Sequence, residues 1–187
     1  MEKIRCDWCK GDALYEAYHD LEWGVPLKDD HALFEFLILE TFQAGLSWIT
    51  VLRKRENFRD AFDNFDYKKI ANYSEEKIEQ LLSNAGIIRN KLKVRATITN
   101  AEAFMEVQKE FGSFTEYIWA FVNGTPIKNK FETMAQIPAN TALSDSISKD
   151  LKKRGFKFVG STVVYAHMQA TGMVNDHIVS CFRYNQV

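Results

Sequence analysis

The sequence predicts an all-α fold. Apolar residues recur with helical spacing along most of the chain, β-branched runs with period-two alternation are scarce, and only three prolines and nine glycines occur in 187 residues. With 46% apolar and 13% aromatic residues a sizeable core is expected. The length suits one domain spanning 1–187, and nothing demands an oligomer, so a monomer is expected.

The elements follow from caps and breakers. Asp12 suits the cap of a short helix carrying Tyr15, Tyr18 and His19, and Glu22–Pro26 reads as a turn. Asp29 or Asp30 caps a helix that runs into the apolar stretch Leu33–Trp48. That helix breaks at Gly45, and Ser47 starts another that ends in the basic run Arg53-Lys54-Arg55. Asp66 opens a short helix to Asn72, and Ser74 opens one that stops at Asn84-Ala85-Gly86. A long helix is expected from about Asn90 to Phe111, and Ser113 caps FTEYIWAFV. Residues 123–143 form the longest irregular segment. Ser144 is expected to cap SDSISKDLKKRG, whose basic last turn suits the helix dipole. Ser161–Thr171 reads as an apolar helix closed by Gly172, and Asp176 as the cap of a final short helix holding His177 and Cys181.

Composition narrows the function classes. Net charge is -1, so any nucleic-acid contact must come from local patches or backbone groups. No apolar run approaches the ~20 residues of a membrane helix. The opening MEKIRCDW has no apolar core of signal-peptide length, and the three cysteines are an odd number; a reducing cytoplasm is expected.

Glu40 is the first functional signal. On a helical wheel it falls between Leu33 and Phe36, with Leu37 and Ala44 beside them. A carboxylate on so apolar a face needs hydrogen bonds, a cation or a proton. A structural ion pair would meet that need as well as a binding site would. Trp8, Tyr15, Tyr18, Trp23 and Trp48 cluster in the first 48 residues around it. Aromatic faces with one carboxylate suit a flat cationic or electron-poor ring, such as a flipped-out base; the same rings also pack cores.

Two further constellations stand out. Cys6 and His19 near one end and His177 and Cys181 near the other offer two thiolates and two imidazoles, a closed tetrahedral set suited to structural zinc. Cys6-x-x-Cys9 is a competing metal pair, and all of these could be ordinary buried side chains. The stretch SEEKIEQLLSNAGIIRNKLKVR, residues 74–95, has the shape of a helix-hairpin-helix element. Its hairpin amides and second helix N-terminus would grip phosphate, and Arg89, Lys91, Lys93 and Arg95 add positive charge. A plain helical hairpin with a solvated basic face fits the same pattern.

Several blocks resemble the DNA-3-methyladenine glycosylase I family, a branch of the helix-hairpin-helix DNA glycosylases. They are Arg5-Cys6-x-Trp8, Tyr15-x-x-Tyr18-His19-Asp20-x-Glu22-Trp23-Gly24-Val25-Pro26, Gln43–Leu52, Lys54-Arg55-Glu56, Ala85–Arg89, Leu151–Gly160, Met168-Gln169-Ala170 and Val174–His177. They span almost the whole chain in order. The resemblance implies an all-α glycosylase fold whose ends are pinned by a structural zinc on Cys6, His19, His177 and Cys181; Cys9 matches no ligand position. It implies hydrolysis of the N-glycosidic bond of 3-methyladenine in alkylated double-stranded DNA, in base excision repair. Glu40 falls on the base-pocket carboxylate, with Tyr18, Trp48, Tyr15, Trp8 and Trp23 around it. Leu46 falls where the family approaches the gap left in DNA; Gly45 beside it is expected to contact DNA too, as are Gly86, Ile87, Arg89 and Lys91 on the hairpin that would hold the strand. Where the family has Asp-Pro before the first Tyr-containing helix this chain has Asp12-Ala13, so a looser helix start is expected.

The family is understood to lack the aspartate that most of the superfamily uses to stabilise the sugar cation, and residues 123–145 offer no convincing replacement. N3-methylation makes the base cationic, so binding, orienting and desolvating it would suffice, with Glu40 selecting the base rather than attacking the sugar. Other readings are a non-enzymatic DNA-structure-binding module with a structural zinc, a zinc-stapled scaffold for a protein partner, and a glycosylase/lyase working through a lysine imine. The last is disfavoured because no single lysine stands apart from the basic face.

Overall fold

The computed structural model describes residues 3–187. The helices are α1 (Ala13–Leu21), α2 (Asp30–Gln43), α3 (Trp48–Leu52), α4 (Arg55–Ala61), α5 (Tyr67–Ile70), α6 (Glu75–Ser83), α7 (Lys91–Phe111), α8 (Phe114–Ala120), α9 (Ala142–Lys153) and α10 (Ser161–Ala170). The helical expectation holds, with one small addition: Ile127–Lys128 (β1) pairs in parallel with Val174–Asn175 (β2). Among the described residues, no helix is long and apolar enough to cross a membrane.

α2 is the axis of the fold. Every side chain from Leu33 to Phe42 is buried, because α3, α7, α8 and α10 pack around it. Such all-round burial explains a helix that is apolar on nearly every face. Where a side chain caps the first turn, the expected starts stand. Asp12, Asp29, Asp66, Ser74, Asn90 and Ser113 each accept an amide N–H of the helix that follows. Asp12 also holds Arg53, so the start of α1 is anchored rather than loose.

Four expectations are corrected. The basic run does not end a helix at Arg55; α3 stops at Leu52, and Arg55 opens α4. Arg55 is drawn there by Glu22 and Glu35, at 2.6 Å each. α9 is capped by Thr141, with Ser144 returning the bond to the Thr141 amide at 2.8 Å. Ser47 precedes α3, but its hydroxyl meets Thr50 Oγ1 rather than an amide. Residues 176–178 are irregular and 179–186 form successive turns, not a helix, closed by bonds such as Cys181 N–H to Ile178 O at 2.8 Å.

The two ends of the chain meet at the Glu22–Pro26 turn. Gly24 N–H donates to Gln169 O, and Leu27 N–H to Thr171 O. Gly172, at φ +70°, lets α10 end against this turn: a Cβ there would lie 2.4 Å from the Val25 carbonyl carbon.

Candidate active site and metal centre

A cavity of about 380 Å³ opens beside α2. Glu40, Tyr18, Trp48, Tyr15, Trp8 and Trp23 all line it, so the aromatic set inferred from the sequence does converge on the carboxylate. α1 supplies the two tyrosines, the turn after it Trp23, and the first turn of α3 Trp48. The rings meet mostly edge to face or tilted: Trp8 lies 4.7 Å from Tyr15 and 5.1 Å from Trp23, and Tyr18 lies 5.5 Å from Trp48.

Two acids on α2 show what is unusual about one of them. Glu35 is buried, but Arg55 and Arg59 satisfy it at 2.6 and 2.8 Å. Glu40 is equally buried and has no such partner. Its Oε2 meets no hydrogen-bond donor among the described residues, and neither does the Trp48 Nε1–H find an acceptor. Burial alone pushes the Glu40 carboxyl up to about 8. A structural ion pair is therefore the answer for Glu35 and not for Glu40. Among the described residues Glu40 is also the cavity's one acidic lining group.

Sequence reasoning missed the opposite wall. Met134, Ile137 and Pro138, from the long irregular segment, cover one side with apolar surface, and Thr162, Tyr165 and Gln169 of α10 face the cavity beside them. Asp176, expected as a helix cap, instead accepts from Tyr165 Oη at 2.6 Å, Gln169 Nε2 at 2.8 Å and Asn129 Nδ2 at 2.7 Å. The i, i+4 spacing of Tyr165 and Gln169 was the one signal that could have paired them.

The four expected metal ligands come together. Cys6, His19, His177 and Cys181 are all buried, with ligand atoms within 4.8 Å of one another. Three of the separations are 3.5, 3.5 and 3.7 Å between sulfur and ring nitrogen. A tetrahedral ion with sulfur and nitrogen ligands has nitrogen–sulfur edges of about 3.5 Å. Each imidazole is turned to offer a lone pair. His19 Nδ1–H donates to Asp20 Oδ1 at 2.9 Å, and Arg5 grips both carboxylate oxygens of Asp20 with its Nε and Nη2, each at 2.9 Å. His177 Nε2–H donates to the Trp23 carbonyl at 3.1 Å. Those outer bonds leave His19 Nε2 and His177 Nδ1 as acceptors facing the thiols. Cys9 stands outside the set, with its Sγ–H on the Cys6 carbonyl at 3.2 Å, so the Cys6–Cys9 pair is not the metal-type cluster. The group could hold a metal ion. Trp8 and Trp23 touch both this cluster and the cavity, at 5.4 Å from His19 and 4.6 Å from His177.

The hairpin departs from expectation in detail. α6, the turn after it and α7 form it, but its Gly86 and Ile87 amides are taken. Gly86 N–H binds Asn84 Oδ1 at 2.8 Å and Ile87 N–H binds Asn84 O at 3.4 Å, while the Ile87 side chain is buried. The N–H groups of Ile88, Arg89, Lys91 and Leu92 have no such partner among the described residues. Arg89 and Lys91 are exposed, as are Gly45 and Leu46 on the turn after α2. Arg95 is paired with Glu75, and Lys93 is buried. One lysine therefore does stand apart from the basic face, against the sequence reading.

The profile of the methyladenine glycosylase family matches residues 8–184. The chain is 52% identical to DNA-3-methyladenine glycosylase 1 of Escherichia coli (strain K12) over 180 residues, covering 96% of each. It is 46% identical to the DNA-3-methyladenine glycosylase of Haemophilus influenzae (strain ATCC 51907 / DSM 11121 / KW20 / Rd), covering 95% of this chain and 96% of that one. A solved structure of 3-methyladenine DNA glycosylase I from Staphylococcus aureus, addressing the structural basis of 3-methyladenine recognition, superimposes with a TM-score of 0.92 at 34% identity, covering 95% of both chains. With the cavity, the cysteine–histidine cluster and the match along nearly its whole length, the chain belongs to the methyladenine glycosylase family.

Proposed function

We propose that the whole chain works as one monofunctional glycosylase domain that hydrolyses the N-glycosidic bond of 3-methyladenine in alkylated double-stranded DNA. The observation that carries this reading is the Glu40 carboxyl, buried without a partner in an aromatic cavity. Family membership supplies the reaction class. A neutral purine has no need of so costly an acceptor, whereas a methylated, cationic one repays it. As the cationic base enters, its charge and N–H groups favour the ionised carboxylate, drawing the Glu40 pKa down from about 8. Trp48 offers a stacking face and Tyr18, buried beside it, a hydroxyl.

Chemistry then needs little more. Water attacks C1′ of the sugar, the bond to the base nitrogen breaks, and its electron pair neutralises the base. The attacking water gives its proton to solvent. Orientation and exclusion of bulk water by the aromatic walls provide the rate. Cys6, His19, His177 and Cys181 would hold zinc as a tether between the ends, a closed set that leaves no place for a substrate. The unpartnered amides at Ile88, Arg89, Lys91 and Leu92 fit phosphate oxygens, and Gly45–Leu46 fits the gap left by the base.

Duplex DNA methylated at adenine N3, incubated with the protein, should release free 3-methyladenine and leave abasic sites. DNA binding without base release would replace the enzyme with a non-catalytic binding module.

A further inference from the structure

Two lysines tie the hairpin to the segment that follows Glu40: one at the end of α2, the other at the junction of α3 and α4. Lys93, on α7, is only 6% exposed. Its Nζ donates to Phe42 O at 2.9 Å and Ala44 O at 2.7 Å, the carbonyls that end α2. No carboxylate answers its charge among the described residues; desolvation lowers its pKa, and the dipole end of α2 receives it. Lys54, just after α3, runs the other way. Its Nζ donates to Ala85 O at 3.2 Å and Gly86 O at 3.3 Å in the hairpin, where Asn57 Nδ2 also reaches Gly86 O at 3.3 Å. The α2–α4 segment and the hairpin thus each send one lysine across to the other's carbonyls: Lys93 of α7 to those that end α2, and Lys54, between α3 and α4, to those of the hairpin turn.

We propose that Lys93 and Lys54 form a reciprocal brace of positioning residues, which fixes the Gly45–Leu46 turn and the Glu40 helix relative to the strand held by the hairpin. The inference rests on the glycosylase reading above. Its physical basis is geometric. The turn after α2 is exposed from Ala44 to Ser47, and Gly45 sits at φ +84° with no atom near where its Cβ would be. One hydrogen bond, Leu46 N–H to Gln43 O at 2.7 Å, closes the turn internally. Without Lys93 the terminal carbonyls of α2 lose their partners, and the turn is free to shift against the hairpin. Misplacement by about 1 Å suffices for losses on the order of 100-fold in rate. Both ammonium groups point into protein carbonyls, so neither lysine acts by neutralising a phosphate, and neither is placed to form an imine with the sugar.

The test compares Lys93→Met, Lys54→Met and Lys93→Arg with the wild type in four measurements. They are thermal melting, free 3-methyladenine binding by tryptophan fluorescence, the salt slope of duplex binding, and single-turnover excision. The brace predicts folded variants with unchanged free-base affinity and unchanged salt slope, but excision slowed roughly 10–100-fold, with Lys93→Arg recovering part of the loss. Lys54→Met, at a half-buried position, keeps the test open if Lys93→Met fails to fold. A salt slope reduced by about one contact per lysine would make them phosphate ligands instead. Wild-type excision in both methionine variants, free-base affinity lost with excision, or a borohydride-trapped adduct that disappears only in Lys93→Met would also overturn the proposal. Failure of the wild type to release 3-methyladenine would strike the functional reading itself, not the brace.

Discussion

The Glu40 carboxyl and the Trp48 indole N–H line one cavity, and each has an atom buried without a hydrogen-bond partner among the described residues. In a folded protein both would ordinarily be satisfied. Their shared deficit sets the two sides of what can bind there: a flat ligand with N–H groups or positive charge for the acid, and an acceptor or a π-face for the indole.

Glu40 should therefore cost the free protein stability while serving its substrate. Its carboxyl ionises at about 8 in the fold against an ordinary 4.5. The fold keeps a proton that the unfolded chain loses, so stability is full below about 4.5, falls as pH rises from there, and levels off above about 8. Glu40→Gln removes this slope. The variant should match the wild type near pH 4 and be more stable by up to roughly 3 kcal/mol at pH 7, read by chemical denaturation. Excision of 3-methyladenine should fall at least about 100-fold. Equal stability across this pH range would show that Glu40 is not held neutral in the fold.

The metal cluster makes a different prediction. Cys181→Ala would remove one donor of four, and chelation would remove an ion held by all of them. Either should lower stability by about 3 kcal/mol or more, roughly 6–12 °C in Tm, before it lowers the rate per folded molecule. Base affinity should weaken next, because Trp8 and Trp23 rest on His19 and His177. Turnover abolished by chelation at unchanged Tm would assign the ion to chemistry.

What the sequence disclosed tracks how local each signal is. Asp12, Asp29, Asp66, Ser74, Asn90 and Ser113 cap by a short-range bond, and their helices begin where expected. α4 was invisible because Lys54 caps it with no side-chain bond, and Arg55 answers acids 20 and 33 residues away. The aromatic set and the four metal-type ligands were legible as residue types, but the same types also pack cores, and the resemblance along the chain was what singled them out. The Tyr165–Gln169–Asp176 wall and the burial of Lys93 depend on how α10 and α7 dock, which no periodicity carries.

Charge on the hairpin separates into groups that should and should not feel DNA. Arg89 and Lys91 are exposed, outside any ion pair among the described residues, and beside the unpartnered amides. Arg95 lies one turn further along α7 but spends both terminal nitrogens on Glu75, at 2.9 Å and 2.5 Å. Releasing it to a phosphate would leave Glu75 to repel the strand. Arg89→Ala and Lys91→Ala should each weaken duplex binding independently of sequence and reduce the salt slope by about one. Arg95→Ala should change the slope little, and Glu75→Gln should strengthen binding slightly by freeing the arginine. Filter or anisotropy titrations over a range of salt read all four. A full unit lost in Arg95→Ala, with Arg89→Ala silent, would move the DNA track from the hairpin tip to the flank of α7.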